Sequence, residues 1–186
     1  MTIIEHAEKF LGKISYGWRD QWSTDGLQVV CFKNSPYDEV DTFLTIGLSN
    51  HELRISDTKN VRHELILPIS GLDTPEKIVS LMFFMSEHIL SNHNALLRGQ
   101  VVVLPINIAE KIGFKALYCA MPVFLDDDFA TFNKMSSPVV IVWLIPIYSN
   151  ELDYVAKNGW SKFEDLLQHE SPDLFSLKRE HINLNG

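Results

Sequence analysis

Cysteine is nearly absent: Cys31 and Cys119 are the only two among 186 residues. Two thiols, each alone in an apolar segment, make neither a disulfide framework nor a zinc ligand set. Both read as small buried hydrophobes in reduced form, so a reducing, cytoplasmic location is expected. Long hydrophobic runs are also missing. Val139 to Ile147, interrupted by Pro146, falls far short of the roughly 20 residues that span a bilayer. The N-terminus lacks a basic start, an unbroken apolar stretch and a small-residue cleavage site, so no signal peptide is expected. Positive charge is in deficit: 16 Lys and Arg face 24 Asp and Glu, a net charge of −8. The cations are scattered, with Lys178-Arg179 the one adjacent pair. That pattern argues against nucleic acid as a direct ligand, which needs clustered Lys and Arg. Acidity then serves either solubility or attraction to a basic partner. With no internal repeat, low-complexity tract or dividing linker, a single domain over residues 1–186 is expected.

What is present is a series of short periodic segments. Thr2-Ile3-Ile4-Glu5 has the capping-box pattern, and Ile3, Ile4, Ala7, Phe10, Leu11 and Ile14 follow on one helical face. Trp18 to Gly26 reads as a loop or frayed hairpin. Strands are predicted over Leu27–Lys33, Asp41–Ile46 and Arg62–Ile69, separated by turn residues. Thr74-Pro75-Glu76 starts a helix running to about Ser91. Its stripe of Ile78, Leu81, Met82, Met85 and Ile89 predicts burial. Gln100–Pro105 and Ala116–Phe124 read as strands, with Pro122 at an edge or end, while Ile106–Lys115 stays ambiguous. Pro138–Tyr148 is the most hydrophobic strand, predicted central to Ile145 with Pro146 beyond the paired part. Glu151–Asn158 reads as a helix ended by Gly159. Ser161-Lys162-Phe163-Glu164 is a second capping-box pattern. Short strands with short polar turns favour antiparallel pairing. The expectation is therefore an α+β fold: a mixed, mostly antiparallel sheet with helices packed on it.

Catalytic signatures are scarce. Seven histidines include no H-E-x-x-H, and His88 and His93 are five apart, on different helical faces. No metal and no cofactor is expected. Gly71, Gly99 and Gly113 stand alone, so no phosphate loop forms. Ser49 lies in Gly47-Leu48-Ser49-Asn50-His51, which departs from G-x-S-x-G because His51 replaces the second glycine. A hydrolase built on Ser49, a remote histidine such as His51 or His63 and a carboxylate is the enzymatic alternative, with nothing selecting it. Arg62 and Glu64, two apart in a strand, share a sheet face. They form a polar site, a structural ion pair, or caps for nearby backbone. Asp126-Asp127-Asp128 is either a solvated turn or a landing patch for a basic partner.

Three segments together are similar to the suppressor of fused domain family. Thr45-Ile46-Gly47-Leu48-Ser49 and Arg62-His63-Glu64-Leu65-Ile66-Leu67 resemble its paired T-x-G-L-S turn and R-x-E-L strand. Gly99 to Val103, with Leu117 and Pro122, resembles its middle segment. Leu144 to Leu152, then Gly159, Leu166, Leu167 and Arg179, resembles its closing pattern. The likeness spans about 27–182. It implies a mixed sheet with packed helices and a protein-binding, non-catalytic role. Animal members bind and restrain a transcription factor; compact bacterial members resemble immunity proteins or antitoxins set against a toxin, commonly a nuclease. The resemblance implies structural roles for Gly47, Ser49, Arg62, Glu64, Glu151, Gly159 and Arg179. The implied partner is a toxin domain with a basic face, and charge alone nominates Asp126, Asp127, Asp128, Glu164, Asp165 and Glu170 to meet it. A scaffold with a non-toxin partner is the other binding alternative.

Overall fold

Alternation in the strands sends neighbouring side chains to opposite sheet faces, and both faces of this sheet are apolar. A computed structural model describes residues 1–19, 26–71, 74–133 and 137–184. Among them the helices are α1 (Ile3–Leu11), α2 (Pro75–Asn92), α3 (Ile106–Ile112), α4 (Ser149–Asn158) and α5 (Trp160–Glu170). The strands are β1 (Tyr16–Arg19), β2 (Gln28–Phe32), β3 (Val40–Ile46), β4 (Leu53–Ser56), β5 (Lys59–Ser70), β6 (Val101–Val103), β7 (Ala116–Ala120), β8 (Thr131–Phe132) and β9 (Val139–Ile147). They form one sheet in the order β1-β2-β3-β5-β9-β7-β6, with β4 paired to β5 and β8 to β9. Every pairing is antiparallel except β5 with β9. The expected mixed, mostly antiparallel sheet is what forms.

In β9, Val142 and Leu144 face the same core as Leu65, Leu67 and the α2 residues Ile78, Met82 and Met85. Ile141, Trp143, Ile145 and Ile147 face the other core, with Ala7 of α1 and Phe163 of α5. The methionine stripe of α2 is core: Met82 and Met85 are fully buried. Truncating either to Ala costs about 2–5 kcal/mol by the usual core cavity scale.

Local signals hold in some places and yield in others. Thr2 caps α1 as expected: its Oγ1 accepts from Glu5 N–H at 3.2 Å while Glu5 Oε2 accepts from Thr2 N–H at 2.7 Å. Such a cap stabilises by about 1 kcal/mol. The inward face of α1 differs, however. His6 is buried beside Ala7 and Leu11, whereas Ile4 is exposed and Ile14 lies past the helix end. His6 Nε2 donates to the Phe129 carbonyl at 3.0 Å, which satisfies its burial. Thr74 precedes α2, but its side chain makes no cap bond. Trp18 and Arg19 end β1, which pairs antiparallel with β2, in keeping with the hairpin alternative for Trp18–Gly26, while 20–25 of that segment lie outside the described residues. The undecided 106–115 segment is mostly α3.

Two expectations fail for tertiary reasons. Pro146 lies inside β9, opposite Leu117 of β7. Ile147 turns its carbonyl to Lys115 on the β7 side, so Pro146 faces the other way, where β5 pairing has stopped at Trp143. No ladder donor is missed there. The Ser161 capping box does not form either. Gly159 (φ 86°) ends α4 and stands before α5, Ser161 lies within the helix, and Glu164 turns to tertiary partners.

Candidate functional site

A single glycine between α4 and α5 lays α5 across the sheet. Phe163 and Leu166 are its buried anchors. Along its edge, above β7 and β9, runs a groove of about 500 Å³. Tyr118, Ala120, Trp143 and Ile145 form the floor, Leu167 and Asp165 belong to one wall, and Met121 and Val123 to the other.

One end of the groove is built from three elements. Trp160 and Glu164 are four apart, hence neighbours on α5. Arg98, just before β6, engages both. Its guanidinium grips the two Glu164 oxygens, with Nε 3.1 Å from each, and its Cζ lies 5.0 Å from the Trp160 ring centroid. Gly99 (φ 85°) permits this approach, because a Cβ there would overlap Trp160. Tyr118, fully buried, donates its hydroxyl to Glu164 Oε1 at 2.9 Å. Burial, then the Glu164 carboxylate, push the phenol above its ordinary range and keep it a donor. At the other end Val123 is 76% exposed. Trp143 sits edge-on to Phe124 and Phe175, and its indole N–H finds no acceptor among the described residues.

The polar motif residues lie elsewhere, in two buried networks. In the first, Glu64 takes four hydrogen bonds. Gly47 N–H (3.0 Å), Ser49 N–H (3.1 Å) and Ser49 Oγ (2.7 Å) donate to one oxygen, and Thr45 Oγ1 (2.6 Å) donates to the other. Burial pushes its pKa up to about 7, against the downward pull of those donors. Arg62 donates instead to the Ser49 and Asn50 carbonyls at 2.8 and 2.9 Å and pairs with Glu52. The two residues thus cap the same turn from its opposite polarities. Gly47 makes the turn at φ 102°, with Gly26 O 3.1 Å from where a Cβ would stand.

In the second network, Arg179 and Glu151 form a bidentate pair at 2.8 and 2.6 Å, with side chains 2% and 0% exposed. Arg179 Nη2 also donates to the Pro146 carbonyl at 2.9 Å, filling the sheet position that β5 vacates. Tyr148 N–H and Ile182 N–H complete the Glu151 carboxylate. Tyr148 Oη donates to Arg179 O, so the C-terminal tail is bound at both side chain and backbone.

The nucleophile candidates are engaged internally. Ser49 is buried with its hydroxyl on Glu64. Leu96 N–H donates to His63 Nε2 at 3.1 Å, so Nδ1 carries the proton and donates to Val140 O at 3.1 Å. Burial lowers the His63 pKa. Both thiols are buried, and burial raises each to about 12. Among the described residues no group of three or more His, Cys, Asp or Glu is placed to hold a metal ion.

The charge-nominated residues divide. Glu164 and Asp165 line the groove, Glu164 held by Arg98 and Asp165 exposed. Asp126, Asp127 and Asp128 are exposed in a short 3-10 turn directly after the Met121–Leu125 loop. Glu170 ends α5 against its neighbour His169. Sequence reasoning missed Arg98, Tyr118, Trp143 and Trp160, and gave Gly99 only a place in the family's middle segment. The Trp160/Glu164 spacing was the one local signal available.

These bonds account for the order of the motifs: the T-x-G-L-S turn closes on the glutamate of R-x-E-L, and the late arginine closes on the glutamate that leads α4. The sequence matches the family model for suppressor of fused protein (SUFU) over residues 23–180. The chain belongs to the suppressor of fused family. It is 21% identical over 173 residues to the immunity protein YqcF of Bacillus subtilis (strain 168), covering 91% of this chain and 88% of that one. In fold it is similar to a suppressor of fused homologue from Neisseria gonorrhoeae FA 1090, with TM-score 0.79 and 14% identity over 99% of this chain and 96% of that one. The Sufu–Fu complex structure matches with TM-score 0.74 and 12% identity, covering 97% of this chain and 90% of that one. Against Drosophila Suppressor of Fused the TM-score is 0.73 at 13% identity, over 97% of this chain but 50% of that protein. The family resemblance of the three segments is therefore correct.

Proposed function

We propose that this family member is a non-catalytic protein-binding domain that acts in the cytoplasm as an immunity protein, neutralising a toxin by direct contact. The observation that carries this reading is the nearly end-to-end match to a protein named as an immunity protein. The site geometry agrees with it. Ser49, His63 and both cysteines are committed to internal bonds or held as neutral thiols. The exposed features include a groove, an aromatic–arginine rim and solvent-facing carboxylates, which suit recognition. The net charge of −8 fits a toxin with a basic face, such as a nuclease offers to nucleic acid.

Co-expression tests the proposal. The chain is expected to restore growth to cells making a toxin encoded beside it, and to co-purify with that toxin. Toxicity unrelieved by a soluble, folded chain would refute the immunity role. Replacing Asp126, Asp127 and Asp128 with Asn is expected to slow association on the order of tenfold at low salt and less at high salt. Unchanged kinetics remove that turn from the interface. A scaffold role with a non-toxin partner is the second reading, favoured by the fold likeness to the Sufu–Fu complex. A stable non-toxin partner, together with no rescue of growth, would establish it instead.

A further inference from the structure

We infer that the groove between α5 and strands β7 and β9 is the docking site, and that it takes a basic segment of the partner anchored by one apolar side chain. The apolar anchor rests on the half-buried Ala120, Met121 and Leu167, and an adjacent lysine or arginine meets Asp165. This rests on the protein-binding reading and names the surface and the chemistry of its occupant.

Three observations converge. The first is shape: about 500 Å³ lies within the range of pockets that bind ligands. Its accessible apolar surface comes from Ala120, Met121, Leu167 and Leu174, over a floor of nearly buried Tyr118, Trp143 and Ile145. The second is the rim. Trp160, 44% exposed and stacked under Arg98, stands at one end, and Val123, 76% exposed, at the other. Tryptophan and arginine at the edge of a desolvated pocket are among the residue types that dominate binding energy. Arg98 is not free to receive an anion, since Glu164 holds both its Nε and Nη2. The third is charge. With Arg98 and Glu164 mutually neutralised, Asp165 is left as the wall's carboxylate without an ion pair among the described residues. Asp126, Asp127 and Asp128 continue the negative field beyond the Val123 loop. An incoming cation completes this surface, whereas an anion is repelled. A second cleft, of about 310 Å³, has the opposite character: Lys77, Lys111 and Lys178 line it. It serves as the internal control.

The probe is a phage-displayed library of random dodecapeptides panned on the full chain. Enriched peptides are expected to place an aromatic or aliphatic residue next to lysine or arginine. A synthetic consensus peptide is expected to bind Ala120→Trp, which fills the groove, at least tenfold more weakly, as for loss of a hot-spot contact. Asp165→Lys is expected to weaken it about fivefold and to flatten its salt dependence. Lys111→Glu, in the other cleft, is expected to leave it unchanged. Ala120→Trp risks disturbing β7, so the exposed Val123→Lys and Asp165→Lys variants, both expected to weaken binding, carry the test alone if circular dichroism finds the first misfolded. Absence of enrichment, an acidic consensus, or equal binding by the groove variants would overturn the inference. Failure of the functional reading looks different. A toxin still neutralised at wild-type level by the groove variants refutes the groove and leaves the immunity role standing. Peptides that bind the groove of a chain unable to rescue growth refute the immunity role and leave the groove standing.

Discussion

Glu64 and Glu151 are both fully buried carboxylates, and the chain accommodates them by opposite means. Glu64 has no guanidinium on it; backbone amides and hydroxyls supply its four bonds. Glu151 is clamped by Arg179 through two charge-assisted bonds. The difference follows from what each must hold. Glu64 closes a turn that starts 15–19 residues before it, where neighbouring strands already present donors. Glu151 must retain a tail 28 residues downstream that, among the described residues, touches the sheet backbone through one isolated bridge, Ser70 to Ser176, rather than through a paired strand. Loose chain is held by the stronger, bidentate bond; a turn already set by its flanking strands needs only dipoles.

Arg179→Met gives the largest effect that probes this contrast. It strands Glu151 as an unpaired buried charge and is expected to cost about 3–5 kcal/mol in urea unfolding, with the tail cleaved faster by protease. A cost below about 1 kcal/mol would mean that the pair does not secure the tail. Gly47→Ala probes the other network. A side chain at φ 102° would also press on Gly26 O, for an expected loss of about 1–3 kcal/mol. An unaltered melting temperature would show that this turn carries no strain.

Glu64→Gln sharpens the comparison through pH. It keeps the shape and one strong acceptor, so about 1 kcal/mol is expected to be lost at about pH 4.5, where the wild-type side chain is neutral in the fold. The wild-type Glu64 pKa is raised from 4.5 to about 7, so the folded state holds that proton more tightly than the unfolded chain. Its contribution is full below about pH 4.5 and lost as pH rises through about 7. Wild-type protein should therefore lose stability relative to the Gln variant between about pH 4.5 and 7 and run parallel to it above that. Profiles parallel across that window as well would refute the raised pKa. His63 acts in the opposite sense: its depressed pKa makes a contribution that is present above about 6.5 and lost as pH falls. The smallest effect belongs to the triple Asn variant at Asp126, Asp127 and Asp128. It is expected to stay within about 0.5 kcal/mol of wild type, since these side chains touch solvent.

Particular residues mark how far the sequence was legible. The α2 stripe, the central hydrophobic strand that became β9 and the Thr2 cap follow from local period, hydrophobicity and capping chemistry, and all are present. Gly47, Glu64, Glu151 and Arg179 stood out as motif residues, although nothing local identified which would take cations and which would take amides. Pro146 misled because a proline inside a strand is read against an idealised two-sided ladder, while one side of β9 is open there and occupied by Arg179. Ser161 misled because Gly159, shared between two helices, starts α5 earlier than the capping pattern allows.

The sequence by itself determined the period of most of the longer elements, the buried stripe of α2, the α+β class and the family. Those follow from contacts within a few residues and from the segregation of apolar side chains. Only the tertiary structure decided where the groove lies and what lines it. Arg98 meets Glu164 across 66 residues, and Tyr118 meets it across 46. The parallel joining of β5 to β9 and the single-glycine turn into α5 bring those segments together. No local pattern encodes such distant pairings, because each arises from the packing of whole elements against a shared sheet.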